Sequence, residues 1–64
     1  GLEIDSAGNI YVANYNANNV LKISSTGVVS VLIGNIPKPY CLHIDGNLLF
    51  ISAQGSNSVV RYKL

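Results

Sequence analysis

Two ionisable side chains occupy the same position of an internal repeat. Glu3 precedes Ile4-Asp5, and His43 precedes Ile44-Asp45 forty residues later. A carboxylate and an imidazole are both ligands that zinc accepts, and His43 is the only histidine available for general-base chemistry. Packed sheets lie about 10 Å apart, so these two side chains are not a ready-made pair, and a metal cluster would need several copies around one axis. We therefore expect no bound metal, with Glu3 and His43 as weak candidates.

Asp5 and Asp45 are aligned carboxylates, which also invites a catalytic interpretation. Each one ends a short apolar segment at a turn. Aspartate is favoured at such places because its side chain accepts hydrogen bonds from the backbone amides that follow. We therefore predict a structural role for both. No serine–histidine–aspartate order, phosphate-binding glycine loop or HExxH pattern is present, and we expect neither enzymatic activity nor a cofactor.

Polar loops supply the candidate ligand-binding residues. Amides and hydroxyls in the segments 14–19 and 53–58 suit a protein surface or a small polar ligand such as a sugar, and loops presented together by repeats commonly form a binding surface. Two asparagines there, Asn18 and Asn57, are expected to cap turns instead. The four tyrosines, Tyr11, Tyr15, Tyr40 and Tyr62, could stack on a sugar, but Tyr11 and Tyr62 lie in predicted strands and fit packing roles, and Tyr40 is the better surface candidate. The predicted ligand-binding residues are Asn14, Asn16, Gln54, Ser56 and Tyr40.

Composition excludes several other functions. The net charge is +1 and the four basic residues are scattered, which argues against nucleic-acid binding. No apolar stretch is long enough to span a bilayer, so no membrane partner is expected. Cys41 is the only cysteine; it rules out an internal disulfide, and we expect it to be a small buried apolar residue.

The elements that must position these residues repeat along the chain. Leu2–Asp5 returns as Leu42–Asp45, Ile10–Ala13 as Leu49–Ser52 and Asn18–Ile23 as Asn57–Tyr62. The shift falls from forty to thirty-nine between the first two segments, in a hairpin loop, where a deletion costs little. The segments are short, rich in Val, Ile, Leu and Tyr, and separated by turn residues, so we predict β-strands and no helix.

The strand pattern predicts an all-β fold. Strands at 2–5 and 10–15 are apolar on both faces, which indicates that both faces are covered, whereas later strands carry more charge toward solvent. Two four-stranded antiparallel propeller blades follow, at residues 1–36 and 37–64, the second lacking its outermost strand. Two blades leave apolar faces bare, so we expect self-association, with a homotrimer completing six blades.

At this point the residues resemble a known family. Leu2–Ala13, followed by Asn18-Asn19 and a β-branched strand, is similar to the NHL repeat, and Ile36–Leu42 resembles the proline-containing lead-in to a second repeat. The resemblance covers nearly the whole chain and implies a β-propeller, most often six-bladed. NHL propellers that bind RNA use a basic face; here Val20 and Val59 stand where the family often has arginine.

Two functions follow as expectations. The first is a non-catalytic repeat module that closes into a ring, within a longer chain or as a homo-oligomer, and offers its loops to a protein or small polar ligand. The alternative is a fragment of a metal-dependent propeller lyase or hydrolase, because related propellers hold metal ligands near the central channel. Metal content and the effect of His43→Ala separate the two.

Overall fold

The structure is a computed structural model that describes all 64 residues. It contains two antiparallel sheets and no α-helix. The first sheet has strand order β1-β2-β3-β4, and the second has order β5-β6-β7. The strands of the first sheet are β1 Leu2–Ile4, β2 Ile10–Asn14, β3 Asn19–Ile23 and β4 Val29–Ile33, and those of the second are β5 Pro39–Asp45, β6 Leu48–Ala53 and β7 Ser58–Lys63. The predicted all-β class and the strand number of each repeat are confirmed.

The internal repeat governs the pairing register as well as the strand order. Glu3 lies opposite Tyr11 in the first sheet, and His43 lies opposite Phe50 in the second. The residue missing from the second copy falls in the β5–β6 hairpin, where Asp45 pairs directly with Leu48. A deletion inside a strand would have turned every later side chain to the other face. The loop absorbs it, and the two sheets keep the same register.

The segments between β2 and β3 and between β6 and β7 are not wholly irregular. Each contains a single 3-10 turn, Tyr15–Ala17 in the first sheet and Gln54–Ser56 in the second. Each turn ends at an asparagine in the left-handed conformation, Asn18 with φ 56° and Asn57 with φ 50°. Asparagine adopts this conformation more readily than most residues because its short polar side chain bonds locally. The capping roles predicted for these two asparagines are confirmed.

One face of each sheet forms the core. We call these the contact faces. The first sheet contributes Tyr11 and Val20, and the second contributes a row of aliphatic side chains from its inner two strands. The linker between the sheets, residues 34–38, adds Ile36. The buried hydrophobic residues are Tyr11, Val20, Ile36, Leu42, Leu49, Ile51 and Ala53. Alternation along a strand then sends the neighbouring side chains to the opposite faces.

The two remaining faces are open. Residues two apart on a strand, and residues paired across strands, share a face. The open face of the first sheet, called here the aliphatic face, consists of Leu2, Ile4, Ile10, Val12, Leu21, Ile23, Val29 and Val31. The open face of the second, called the mixed face, carries His43, Phe50, Ser52, Val59, Arg61 and Lys63. None of the aliphatic-face side chains is buried, so the single chain leaves apolar surface bare, as expected for two blades alone. The predicted covering of both faces concerns an assembly and stays a prediction.

Cys41 was predicted to be buried, and this is wrong, because its side chain is exposed. The pairing of β5 with β6 shifts register between Pro39 and Leu42, and the intervening residues turn away from the core. The backbone N–H of Cys41 donates a hydrogen bond of 2.8 Å to Ser52 Oγ, which stabilises this irregular stretch. Neither 3-10 turn approaches the length and apolarity of a helix that could cross a membrane.

Candidate ligand-binding edge

Both 3-10 turns meet the linker at one edge of the molecule. The N–H of Ile36 donates to the carbonyl of Asn18, and the N–H of Gly55 donates to the carbonyl of Pro37, each at 3.0 Å. The linker is thus hydrogen-bonded to the turn of the first sheet on one side and to the turn of the second on the other. We call the surface made by the two turns, the linker and the start of β5 the turn edge.

The backbone of Lys38 is tightly constrained on this edge. Its φ is +52°, a region that few non-glycine residues occupy. Two hydrogen bonds hold it there: its N–H donates to Asn18 Oδ1 at 3.0 Å, and its carbonyl accepts from the N–H of Gln54 at 3.0 Å. A strained backbone persists only when surrounding contacts over-determine it. The contacts here come from both sheets, so the position of Lys38 is set by their packing.

Two tyrosines and a lysine come together on the turn edge. We call Tyr15, Tyr40 and Lys38 the aromatic group. The rings of Tyr15 and Tyr40 stand edge to face, with centroids 6.4 Å apart and an interplanar angle of 78°. Lys38 Nζ lies 5.1 Å from the centroid of Tyr15, within the range of a cation–π interaction. Both rings are exposed, Tyr40 by 53% of its surface. Exposed tyrosines offer a flat apolar surface together with a hydroxyl, which suits a sugar ring or a peptide segment.

The structure distributes the predicted ligand-binding residues unequally around this group. Tyr40 is part of it, although it belongs to β5 and not to a loop. Asn16 is exposed in the first turn, and Gln54 is exposed in the second, hydrogen-bonded through its backbone to Lys38. Ser56 is exposed, with its Oγ 2.6 Å from Ser58 Oγ.

Asn14 is placed differently from the other candidates. It ends β2 opposite Asn19, and alternation puts it on the side of Ile10 and Val12, at the rim of the aliphatic face. Asn19 Oδ1, beside it, is buried and lacks a hydrogen-bond partner. Most buried polar atoms in proteins have such a partner. Asn14 therefore belongs with the open sheet face and lies outside the aromatic group.

Asp5 is a structural residue, as predicted. Its carboxylate accepts hydrogen bonds from the N–H of Ala7 and of Asn9, both at 2.9 Å, from Asn9 Nδ2 at 3.0 Å and from the hydroxyl of Tyr11 at 2.8 Å. These bonds, that of the Asn9 side chain above all, favour the ionised form and lower the pKa of Asp5 to about 2. Burial, aided by the Asp5 carboxylate, raises the pKa of Tyr11 to about 12.

Asp45 does not repeat that arrangement. It is exposed, and its carboxylate accepts no hydrogen bond, so the capping role predicted for it is wrong. The β5–β6 hairpin has only Gly46 and Asn47 between paired residues, whereas the longer loop after Asp5 brings several donors back to the carboxylate. The second copy also has Phe50 where the first has Tyr11, and the hydroxyl donor is missing as well.

Glu3 and His43 lie on different sheets and different kinds of face. Glu3 shares the contact face with Tyr11, whereas His43 lies on the open mixed face beside Phe50, with ring centroids 6.5 Å apart. No group of three histidine, cysteine, aspartate or glutamate side chains comes together in the chain. A metal site using Glu3 or His43 would need ligands from further copies.

Of the aromatic group, Lys38 was not considered as a site residue from the sequence, and Tyr15 was considered for stacking on a sugar but lies outside the predicted ligand-binding set. Tyr15 directly follows an apolar strand and starts a polar segment, and Lys38 stands between two prolines in the linker. Proline on both sides of a residue signals a tightly constrained backbone, which is a usable signal for Lys38. Comparison with known protein families finds no matching family model, and no curated protein matches the sequence.

Proposed function

We propose that this chain is a non-catalytic β-propeller repeat module of NHL type that assembles into a closed ring and binds a protein or small polar ligand through its turn edge. Each sheet is one blade, and the second lacks an outermost strand. The ring closes within a longer chain or as a homo-oligomer, and three copies of this chain supply six blades. The proposal concerns a scaffold: chemistry at the turn edge is limited to hydrogen bonding and stacking.

The observation that carries the proposal is the way in which the two sheets meet. Tyr11 is buried in the contact between the sheets, but its repeat equivalent Phe50 lies on the open mixed face. Leu49 is buried in the same contact, but its equivalent Ile10 lies on the open aliphatic face. If the face of Tyr11 and Phe50 is called the front of a repeat and the face of Ile10 and Leu49 its back, the front of the first repeat packs against the back of the second.

This front-to-back arrangement separates two classes of β fold. In a sandwich of two repeats related by a twofold axis, equivalent faces would meet and both would be buried. Front-to-back packing buries one face of each sheet and leaves the other face open. The two open faces are the complementary halves of another contact of the same kind. Repeat arrays grow by this rule, and a propeller is the radial form that brings the ends together. Front-to-back packing thus supports a propeller over a sandwich.

The aromatic group supports the binding part of the proposal. Tyr15 and Tyr40 are exposed, close together and fixed by a linker that both sheets hold. Preorganised aromatic side chains bind with little loss of conformational entropy. Asn16 and Gln54 flank them with amide groups, which both donate and accept hydrogen bonds. A neutral saccharide or a peptide backbone has the matching chemistry.

Sedimentation velocity over a concentration series tests ring assembly. We expect a discrete species near three times the 6.8 kDa mass of the chain, in exchange with smaller species on dilution. A folded monomer whose mass does not change with concentration would contradict the proposal. The non-catalytic part has a separate readout: stoichiometric divalent metal in the purified protein, lost in His43→Ala, would indicate a metal-dependent enzyme instead.

A further inference from the structure

The two open faces are not independent surfaces, because each repeats a face that is already buried inside the chain. The residues on the contact face of the second sheet are the repeat equivalents, forty or thirty-nine positions later, of those on the aliphatic face of the first. In the same way, the residues on the mixed face are the repeat equivalents of those on the contact face of the first sheet. The chain thus carries one complete interface and the two separated halves of a second one.

Identical residues show how different the two environments are. Leu2 and Leu42 occupy the same repeat position; Leu42 is 9% exposed between the sheets, whereas Leu2 is 59% exposed on the aliphatic face. Val20 and Val59 are a second such pair, with exposures of 0% and 69%. The residue type suits burial at all four positions, but the single chain covers only two of them.

A cross-strand row on each sheet extends the match beyond these pairs. On the first sheet Glu3, Tyr11 and Lys22 are paired side by side, and the ring of Tyr11 is buried by the second sheet. On the second sheet His43, Phe50 and Arg61 form the equivalent row. An aromatic residue flanked by two polar ones is therefore an arrangement that this fold already buries at a sheet contact.

We infer that a second copy of this chain covers the mixed face with its own aliphatic face, in the register of the internal contact. Phe50 and Val59 of one copy then take the places of Tyr11 and Val20, and Leu2 of the next copy takes the place of Leu42. The contact is head-to-tail: two different faces meet, and each copy uses both. This inference rests on the proposed assembly and specifies which surfaces form it.

Blocking the two faces separately tests this contact. Leu2→Glu places a charge on the aliphatic face, and Val59→Glu places one on the mixed face; both positions are exposed, so the sheet contact within the chain is untouched. In the proposed contact Leu2 and Val59 take the places of Leu42 and Val20, which are buried in the hydrophobic core. A carboxylate at such a place is strongly unfavourable, so each variant alone should self-associate at least about tenfold more weakly than the wild type. An equimolar mixture should form one heterodimer near twice 6.8 kDa, because each variant keeps the half that the other has lost.

Other outcomes overturn the inference. If two aliphatic faces met each other, Val59→Glu would dimerise alone and the mixture would contain no heterodimer. Ala17→Glu, which adds the same charge at an exposed turn position, is the matched control and should assemble as the wild type does. Ile4→Lys and Val59→Lys repeat the experiment with the opposite charge, and amide chemical-shift dispersion reports whether each variant is folded.

The result also separates this inference from the proposed ring. A wild-type protein that assembles while both single variants still assemble contradicts the head-to-tail contact but leaves ring formation standing. A wild-type protein that grows without limit, with the variants forming the heterodimer, supports the contact and contradicts closure into a ring, since a head-to-tail interface that does not close makes filaments. A wild-type monomer at every concentration overturns both.

Discussion

The hydroxyl of Tyr11 donates a hydrogen bond of 2.8 Å to Asp5 Oδ2, which ties the centre of the core to the first hairpin loop. Tyr11 is buried between the sheets, and Asp5 organises the loop through the amides of Ala7 and Asn9. The second repeat has neither half of this link, since Phe50 replaces the tyrosine and Asp45 accepts no hydrogen bond. The two repeats are therefore alike in strand order and different in how their first hairpin is fixed.

This hydrogen bond makes the free energy of unfolding depend on pH in the acidic range. The pKa of Asp5 falls from 3.8 to about 2 on folding, so its stabilising contribution is complete above pH 3.8 and is lost as the pH falls toward 2. Asp5→Asn should be less stable than the wild type at neutral pH and should lack this acid-dependent loss. Urea unfolding from pH 7 down to 2 measures both.

Asp45→Asn is the matched control for this experiment, because the Asp45 carboxylate is unbonded. It should retain the wild-type loss between pH 3.8 and 2. Tyr11→Phe, which copies the second repeat, removes one donor to Asp5 and should move the loss toward higher pH. An unchanged pH profile in both Asp5→Asn and Tyr11→Phe would contradict the role given to the carboxylate.

The left-handed asparagines give a second matched pair. Glycine tolerates the backbone of both Asn18 and Asn57, but only Asn18 also accepts a side-chain hydrogen bond, from the N–H of Lys38. Asn18→Gly should therefore cost about 0.5–1.5 kcal/mol of unfolding free energy. Asn57→Gly should change it much less, because glycine adopts this conformation without strain and no side-chain hydrogen bond is lost. Denaturant unfolding of the two variants should thus differ, and equal losses would contradict the bond's contribution.

The valine pair Val20 and Val59 links stability to assembly. Threonine keeps the shape of valine but adds a hydroxyl, and burying a hydroxyl without a partner costs about 1–3 kcal/mol. Val20→Thr should lower unfolding free energy at every protein concentration. Val59→Thr should be nearly neutral in the dilute monomer and destabilising only where the wild type is assembled. Unfolding curves at two concentrations decide this, and a cost of Val59→Thr in the monomer would contradict it.

The aromatic group is tested by saccharide binding. Titration with maltose, cellobiose and N-acetylglucosamine, followed by amide chemical shifts, should perturb the turns around Tyr15 and Gln54 with affinities in about the millimolar range. Tyr40→Ala should weaken binding at least about tenfold, because it removes an exposed stacking surface. Tyr62→Phe, in the sheet contact, is the control and should bind as the wild type does. Equal binding by Tyr40→Ala would contradict the assignment.

The sequence by itself determined the strands, their order and the repeat. Short runs rich in β-branched and other apolar residues, glycine and asparagine at turns, and a deletion confined to one hairpin are local signals. Each can be interpreted without knowing how the strands pack. The role of Asp5 followed in the same way, because its donors lie within six residues of it. The 3-10 turns were missed since single turns carry no helical period.

Only the tertiary structure decided which faces are covered. Val20 and Val59 are the same residue at the same repeat position, and no local signal could tell that one is buried and the other exposed. The aromatic group is likewise a product of packing: Lys38 and Tyr40 reach Tyr15 because hydrogen bonds from both turns hold the linker between the sheets. Local chemistry specifies each repeat, whereas the front-to-back contact between repeats creates the turn edge and leaves the two matching faces open.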